Sequence, residues 1–474
     1  MPLRQVRVTE PAGKEIGAAL ADLRAELDVP LAFRADVLED AARAARAPLL
    51  PRADATEVPF ATIDPEGSRD LDQAFHVERA GGGFRVRYAI ADVGAFVQAG
   101  GPLDREAHVR GQTLYAPDEN ALLHPRAISE GAGSLLAGET RPALVWTMEV
   151  DATGEGTDVT VRRALVRSRA QLTYVEAQRA LDEGNAEEPL ALLREVGLLR
   201  QEREARRGGV ELPLPEQIVE KTARGYALRY RAPLPVERWN AQISLLTGMA
   251  AAELMLGARV GVLRTLPAPD PRALARLHRT AKALGIAWPD ETPYGALVRA
   301  LDPREATSAA FISESTVLLR GSAYLAFDGT APVDSVHAGV ASTYTHATAP
   351  LRRLVDRYVG ETCLAVATGA EVPTWVRETL PSLPETMDES NRRARRFETG
   401  IVSIVEAAVL APRLGEVFPA VVVDVDEREG GGVIQLTDPA VAARCTGTLP
   451  LGGEIEARLE VADVSRRLVR FALA

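Results

Sequence analysis

The sequence predicts an α+β fold, a mixed sheet core surrounded by helices and followed by an all-β C-terminal segment. Three observations predict it. Ile16, Leu20, Leu23 and Leu27 recur at helix spacing. Phe84-Arg85-Val86-Arg87-Tyr88-Ala89-Ile90 alternates as a half-buried strand does, behind the turn signal Gly81-Gly82-Gly83. Beyond Arg413 only short apolar runs remain, at 418–425, 433–436, 455–461 and 468–471, separated by turns such as Gly430-Gly431-Gly432.

The chain has 474 residues, 46% hydrophobic and 26% charged, which is enough for two or three globular domains. Its formal charge of -11 argues against a surface-wide nucleic-acid binder and leaves room for one whose positive charge lines a channel. Cys363 and Cys445 supply neither a disulfide framework nor a zinc motif. No basic segment followed by an apolar core opens the sequence, so a cytoplasmic protein is expected. The most apolar stretch, 241–263, contains Glu253 and Arg259 and reads as a core helix rather than a membrane span.

In chain order, a first helix is expected over 14–27 and a second over 35–45, with Val37, Leu38 and Ala41 inward. As a DNA-binding helix-turn-helix this pair lacks a basic recognition face. Residues 57–166 are β-rich, with further strands at 147–150 and 159–167. Asp92 ends a strand, as either a turn cap or a metal ligand. Helix is expected over 171–208, within an insertion at 267–300, and over 387–410, whose start carries Arg392, Arg393, Arg395 and Arg396. His278 reads as a packing or surface histidine. Pro350 suits a first helical turn, which would set Arg352 and Arg353 near a helix N-terminus where backbone donors favour anions.

Acidic chemistry concentrates at one place. Asp64, Glu66, Asp70 and Asp72 fall within nine positions. Asp70 and Asp72 share a face in extended chain, and Pro65 and Gly67 mark a turn that brings Asp64 back toward them. Clustered carboxylates repel and raise one another's pKa. A hard divalent cation relieves that penalty, and Mg2+ favours carboxylate oxygens, waters and substrate phosphates. The spacing does not match an EF-hand loop. On these residues alone a solvated acidic turn remains the alternative.

Further motifs give the cluster a context. Asp64-Pro65 and Asp70-Leu71-Asp72 are followed by Tyr88-Ala89-Ile90-Ala91-Asp92-Val93, by Arg110-Gly111-Gln112-Thr113-Leu114-Tyr115-Ala116-Pro117-Asp118, and by Tyr344-Thr345-His346-Ala347-Thr348-Ala349-Pro350-Leu351-Arg352-Arg353. In this order they closely resemble the catalytic domain of the ribonuclease II family, hydrolytic 3′-to-5′ exoribonucleases. The likeness runs from Leu31 to the C-terminus. It implies a helical segment over 1–50, an RNB catalytic domain over 51–386, a linking helix over 387–411 and a five-stranded OB barrel of the ribosomal S-one type over 412–474. Phe418 and Phe471 are the barrel's only aromatics, and acidic residues outnumber basic ones there, so a weak RNA grip is expected of it. The two cold-shock barrels that usually open these enzymes are missing from this sequence.

The resemblance also implies roles. The family carboxylates matched by Asp64, Asp70 and Asp72 hold Mg2+ at the scissile phosphate, and Asp72 is the catalytic position; Mn2+ is the alternative ion. Arg352 is expected to stabilise the transition state and Arg353 to contact the substrate, since arginine stays charged and grips phosphate bidentately. Tyr115 is expected to stack on a base near the 3′ end, which reads no sequence, and Tyr174 to line the RNA channel and favour ribose. As residues alone, both tyrosines fit packed positions too. Arg206-Arg207-Gly208-Gly209 and Leu212-Pro213-Leu214-Pro215-Glu216 match the family as well, the arginines either holding phosphates or solvated.

Two departures set this chain apart. The family's Asp-x-Asp-Asp ends here in Gln73, which offers a carbonyl but no charge, so weaker Mg2+ affinity is expected. Leu245 and Leu246 stand where the family normally carries paired glutamates, and ribose selectivity is expected to fall. The expected protein is a monomeric exoribonuclease that degrades single-stranded RNA to nucleoside 5′-monophosphates, without membrane association. The alternative is a catalytically degraded relative that binds RNA or serves as an adaptor.

Overall fold

The computed structural model describes residues 7–8, 14–212, 216–222, 225–303, 305–426, 430–436 and 438–474. Five strands, β1 (Phe60–Asp64), β2 (Gln73–Ala80), β3 (Gly83–Ala91), β4 (Thr140–Val150) and β5 (Gly156–Thr173), close into a barrel. Successive strands pair antiparallel, and the ring is shut by a parallel pairing of β1 with β5 that sets Asp64 opposite Thr173. The turn between β2 and β3 uses Gly81 and Gly82 at φ 53° and 84°, the positive values that a two-residue hairpin loop of matching twist requires. Phe84, Val86, Tyr88 and Ile90 are buried along one face of β3, as their alternation predicts.

Helix α1 (Pro235–Ala258) packs on this barrel through Val236, Ile243, Ala252 and Met255. It opens with Pro235 and with Glu237 accepting the Leu234 N–H at 2.9 Å. It ends where Arg259 turns left-handed, at φ 58°. The run expected as one helix over 241–263 is therefore a helix and a strand. β6 (Val260–Thr265) follows at once and pairs antiparallel with β7 (Ala323–Asp328). Apolar content does not separate the two elements; β-branched Val260 and Val262 favour the strand. By length and composition α1 could cross a membrane; in this structure its apolar residues supply the main core.

The helix expected over 171–208 is likewise divided, into Tyr174–Asp182 and Glu188–Arg207. β5 runs on to Thr173, whose hydroxyl accepts the Glu176 N–H and caps the first helix. In the helical insertion His278 stacks on Trp288, ring centroids 3.7 Å apart. Helices α2 (Leu354–Ala367) and α3 (Leu383–Leu410) complete the body, α3 beginning ahead of the expected 387.

The C-terminal strands β8 (Val417–Asp426), β9 (Gly431–Leu436), β10 (Ala442–Thr446), β11 (Glu454–Asp463) and β12 (Leu468–Leu473) form a second closed barrel, in ring order β8-β9-β10-β12-β11. Phe418 and Phe471 meet edge to face in its core, 5.8 Å apart and fully enclosed. Both aromatics are spent on packing and none is offered to a base. The matched segment 213–215 lies outside the described residues.

Candidate active site

Asp64 is the last residue of β1, and the chain returns to β2 through a loop that carries the other carboxylates. A turn closes with the Ser68 N–H donating to the Pro65 carbonyl at 3.2 Å, and Gly67 takes φ 79°. The loop is pinned at Leu71, which is fully buried. Its N–H donates to Ser134 Oγ at 2.9 Å, its carbonyl accepts the Leu135 N–H at 3.0 Å, and Ser134 Oγ donates to the Arg69 carbonyl at 2.6 Å. Asp70 and Asp72 thus flank a fixed apolar anchor. Asp70 accepts a hydrogen bond from the Tyr115 hydroxyl at 2.7 Å, while Asp72 is only 2% exposed.

The second half of the site is the segment before α2. Asp72 Oδ1 accepts the Leu351 N–H at 2.7 Å, and Asp72 Oδ2 accepts Arg352 Nε at 3.1 Å. Pro350 lies in a turn rather than in the helix, and Arg353 is the N-cap, at φ -135° and ψ 128°. The backbone here is tied sideways instead of along a helix axis. Besides the Leu351 bond, the Arg352 carbonyl accepts the Thr113 N–H and the Leu354 N–H donates to the Gly111 carbonyl. Gln73 donates its amide to the Thr348 carbonyl, and Arg353 forks onto Asp356 at 2.9 and 2.8 Å. Asp356 Oδ1 also accepts the Ala349 N–H at 2.7 Å, which fixes the whole turn.

Burial pushes the Asp72 carboxyl up to about 8. The adjacent Arg352 guanidinium and the Leu351 N–H pull it down, and the charges of Asp70 and Asp356 push it further up. A cavity of about 550 Å3 opens beside this pair, with Gln73, Tyr174, Asn240, Leu245, Arg352 and Arg353 in its wall. Tyr174 hydrogen-bonds the Asn240 side chain, and the Asp64 charge, after burial, helps to raise its phenol to about 12. Tyr115 is not a wall residue; it stands 45% exposed on the Asp70 side. Asn240 and Ser244, one helical turn apart on α1, also line the cavity and were missed; their signal is the run of polar residues, Glu237, Arg238, Asn240, Gln242 and Ser244, in the first half of an apolar helix. Asp92 is not at this site. It is buried against Arg163 of β5, with contacts of 2.6 and 3.2 Å, because the end of β3 and Arg163 share one face of the barrel.

The chain is similar to known proteins over most of its length. The RNB domain matches residues 52–368, and the RNase II-type exonuclease C-terminal S1 domain matches residues 416–474. The chain belongs to the RNB-domain family of ribonuclease II and ribonuclease R. Ribonuclease R of Escherichia coli is 25% identical over 473 residues, covering 89% of this chain and 57% of the relative. The exosome complex exonuclease RRP44 homolog A of Arabidopsis thaliana is 29% identical over 374 residues, covering 74% of this chain and 39% of the relative. The chain thus spans about half the length of these curated relatives. Mycoplasma genitalium RNase R, solved in complex with ribose-methylated single-stranded RNA, superposes with a TM-score of 0.86 at 16% identity, over 97% of this chain and 78% of the other. Yeast Ssd1, described as a pseudonuclease, superposes with a TM-score of 0.69 at 17% identity, over 94% of this chain and 57% of the other.

RNB-domain exoribonucleases generally depend on a divalent metal. Among the described residues, no three His, Cys, Asp or Glu side chains converge as a ready ligand cluster. Asp72 faces Arg352 and Leu351, and Asp70 faces Tyr115. The donors of this RNB domain suit Mg2+ in kind. They are hard carboxylate oxygens, and the buried Asp72, raised as it is, gains from a cation that holds it ionised. Leu245 contributes apolar surface to the cavity wall, whereas Leu246 is buried in the core and faces no substrate space.

Proposed function

We propose that this RNB-domain protein is a 3′-to-5′ exoribonuclease that hydrolyses single-stranded RNA to nucleoside 5′-monophosphates. The observation that carries the reading is the Asp72–Arg352 pair, whose arginine lines a cavity large enough for a nucleotide. Among the described residues Arg352 spends only Nε on Asp72, and its side chain is 43% exposed. Both Nη groups are left for the phosphate.

The reaction adds water across the last phosphodiester bond. The water oxygen bonds to phosphorus, the bond to the 3′ oxygen of the penultimate nucleotide breaks, and that oxygen takes up a proton. Arg352 meets the growing negative charge with a preorganised fork. The Leu351 N–H and Asp72 fix the angle of that fork, so little reorganisation accompanies the reaction. Tyr174 bounds the sugar and Tyr115 offers a ring to a base. Asp64, Asp70 and Asp72 would hold Mg2+, which when bound supplies Lewis-acid activation of water and neutralises the phosphate.

Gln73 favours a second reading, a relative that binds RNA without cutting it, because a neutral amide stands where the family places a carboxylate. The deciding experiment incubates a 5′-labelled single-stranded oligoribonucleotide with Mg2+ and the protein, beside Asp72→Asn. The expected result is a ladder shortening from the 3′ end that is absent in the variant. Retained binding without shortening, in both Mg2+ and Mn2+, establishes the second reading instead.

A further inference from the structure

Arg352 and Arg353 line the cavity, and each has a carboxylate partner. Arg352 has Asp72 and Arg353 has Asp356. A further arginine, Arg264 on β6, touches the wall residues Ser322 and Tyr344 and forms no ion pair among the described residues. Its Nη2 donates to Ser322 Oγ at 2.7 Å, and its Nη1 is buried without a hydrogen-bond partner. The guanidinium lies over the Tyr324 ring, 4.6 Å from the centroid, on the strand that pairs with its own. Its backbone N–H donates to the Tyr344 carbonyl at 2.7 Å, so the side chain is rooted beside the cavity. Ser322, Tyr344, His337 and Arg353 are all wall residues.

The surroundings do not neutralise it. Burial disfavours its charge, Tyr324 and Asp388 favour it, and Arg395 and Arg353 oppose it. His337 is pushed down to about 4 and His346 well below its usual range, burial first and Arg264 among the charges responsible. His346 accordingly serves as a neutral hydrogen-bond partner of the Tyr324 hydroxyl at 2.6 Å. A half-buried cation with an unspent donor is costly unless an anion arrives. Arg353, which holds Asp356 through Nε and Nη2, lines the same cavity.

We infer that Arg264, aimed by Ser322 and assisted by Arg353, binds a backbone phosphate of the substrate other than the scissile one. The inference rests on the exoribonuclease reading for its ligand, but not on cleavage for its test. Arg264 is then a specificity residue for chain length. A dinucleotide with no terminal phosphate carries only the scissile phosphate and gains nothing from it, while longer strands do.

The test measures binding of a 5′-labelled single-stranded oligoribonucleotide across a salt series, in Asp72→Asn and in Asp72→Asn/Arg264→Gln. The expected loss of affinity is about tenfold, with a logarithmic salt slope shallower by about 0.7, the contribution of one phosphate contact on a single strand. In the cleaving protein, Arg264→Gln should raise KM for a hexanucleotide and leave dinucleotide hydrolysis unchanged. An unchanged slope and affinity, or an equal loss on the dinucleotide, overturns the inference. If Arg264→Gln does not fold, Arg264→Lys decides. It is expected to keep the slope but bind more weakly, because it retains charge and loses the fork; wild-type affinity in it overturns the inference. A protein that binds RNA with the predicted slope change but never cleaves refutes the exoribonuclease reading and leaves this inference standing.

Discussion

Arg352 Nε lies 3.1 Å from Asp72 Oδ2, a contact between residues 280 apart in sequence. The bond joins the acidic loop to the turn before α2 and aims a cation at the cavity. Arg352→Lys keeps the charge, but one ammonium cannot both meet Asp72 and fork a phosphate. We expect single-turnover hydrolysis of 5′-labelled RNA to slow by about 100- to 1000-fold, the usual cost of removing a transition-state donor, with KM nearly unchanged. A loss of only a few-fold would place Arg352 in a purely structural role.

Tyr115 joins two functions that substitution separates. Its hydroxyl holds Asp70 at 2.7 Å and its ring is exposed. Tyr115→Phe keeps the ring and should leave KM for single-stranded RNA close to wild type. Tyr115→Ala removes a stacking surface worth about 1–3 kcal/mol per base, and KM should rise about tenfold or more. Equal KM values in the two variants would exclude stacking.

How far this architecture was legible in the sequence depends on the range of the interaction. The β3 alternation from Phe84 to Ile90 and the Gly81-Gly82 turn are local, and period and glycine reveal them directly. The parallel closure of β1 on β5 leaves no such mark, because Asp64 and Thr173 are brought together only by the finished ring. The same limit explains Asp92. Its partner Arg163 is 71 residues away, and nothing in its neighbourhood distinguishes an ion pair from a metal ligand. The apolar run through α1 and β6 conceals a boundary because Met255 on one side and Val260, Val262 and Leu263 on the other enter the same core. At the site, the motifs named the residues, but the contacts of Gln73 with Thr348 and of Arg353 with Asp356 needed the fold.

His124 makes the site's scaffold sensitive to acid. It is buried, hydrogen-bonds the Pro350 backbone, and is pushed down to about 3 by burial and by the Arg357 charge. The unfolded chain binds its proton near pH 6.5, so the folded state holds fewer protons between the two values. This stability is fully present above pH 6.5 and is lost as pH falls toward about 3, at up to about 1.4 kcal/mol per pH unit. Urea midpoints measured from pH 7 to pH 4 should fall less steeply in His124→Gln, which cannot be protonated. Parallel curves for the two proteins would mean that other groups carry the acid sensitivity.

Gln73 donates its amide to the Thr348 carbonyl, so this chain has built the turn before Pro350 around a hydrogen-bond donor. Gln73→Asp restores the family's charge but brings a carboxylate, one methylene shorter, toward a carbonyl that then lacks its partner. Without metal we expect the variant to be less stable by about 1–3 kcal/mol, the cost of an unsatisfied buried acceptor. With Mg2+ the added carboxylate binds the ion, and binding to the folded state alone raises its stability. The thermal midpoint of Gln73→Asp should therefore climb more steeply with Mg2+ than that of the wild type, and half-maximal RNA cleavage should need about tenfold less Mg2+. The melting curves report metal binding even where cleavage is absent, which separates a weakened site from a lost one. Identical Mg2+ dependence in both proteins would show that position 73 faces the Thr348 carbonyl and not the ion.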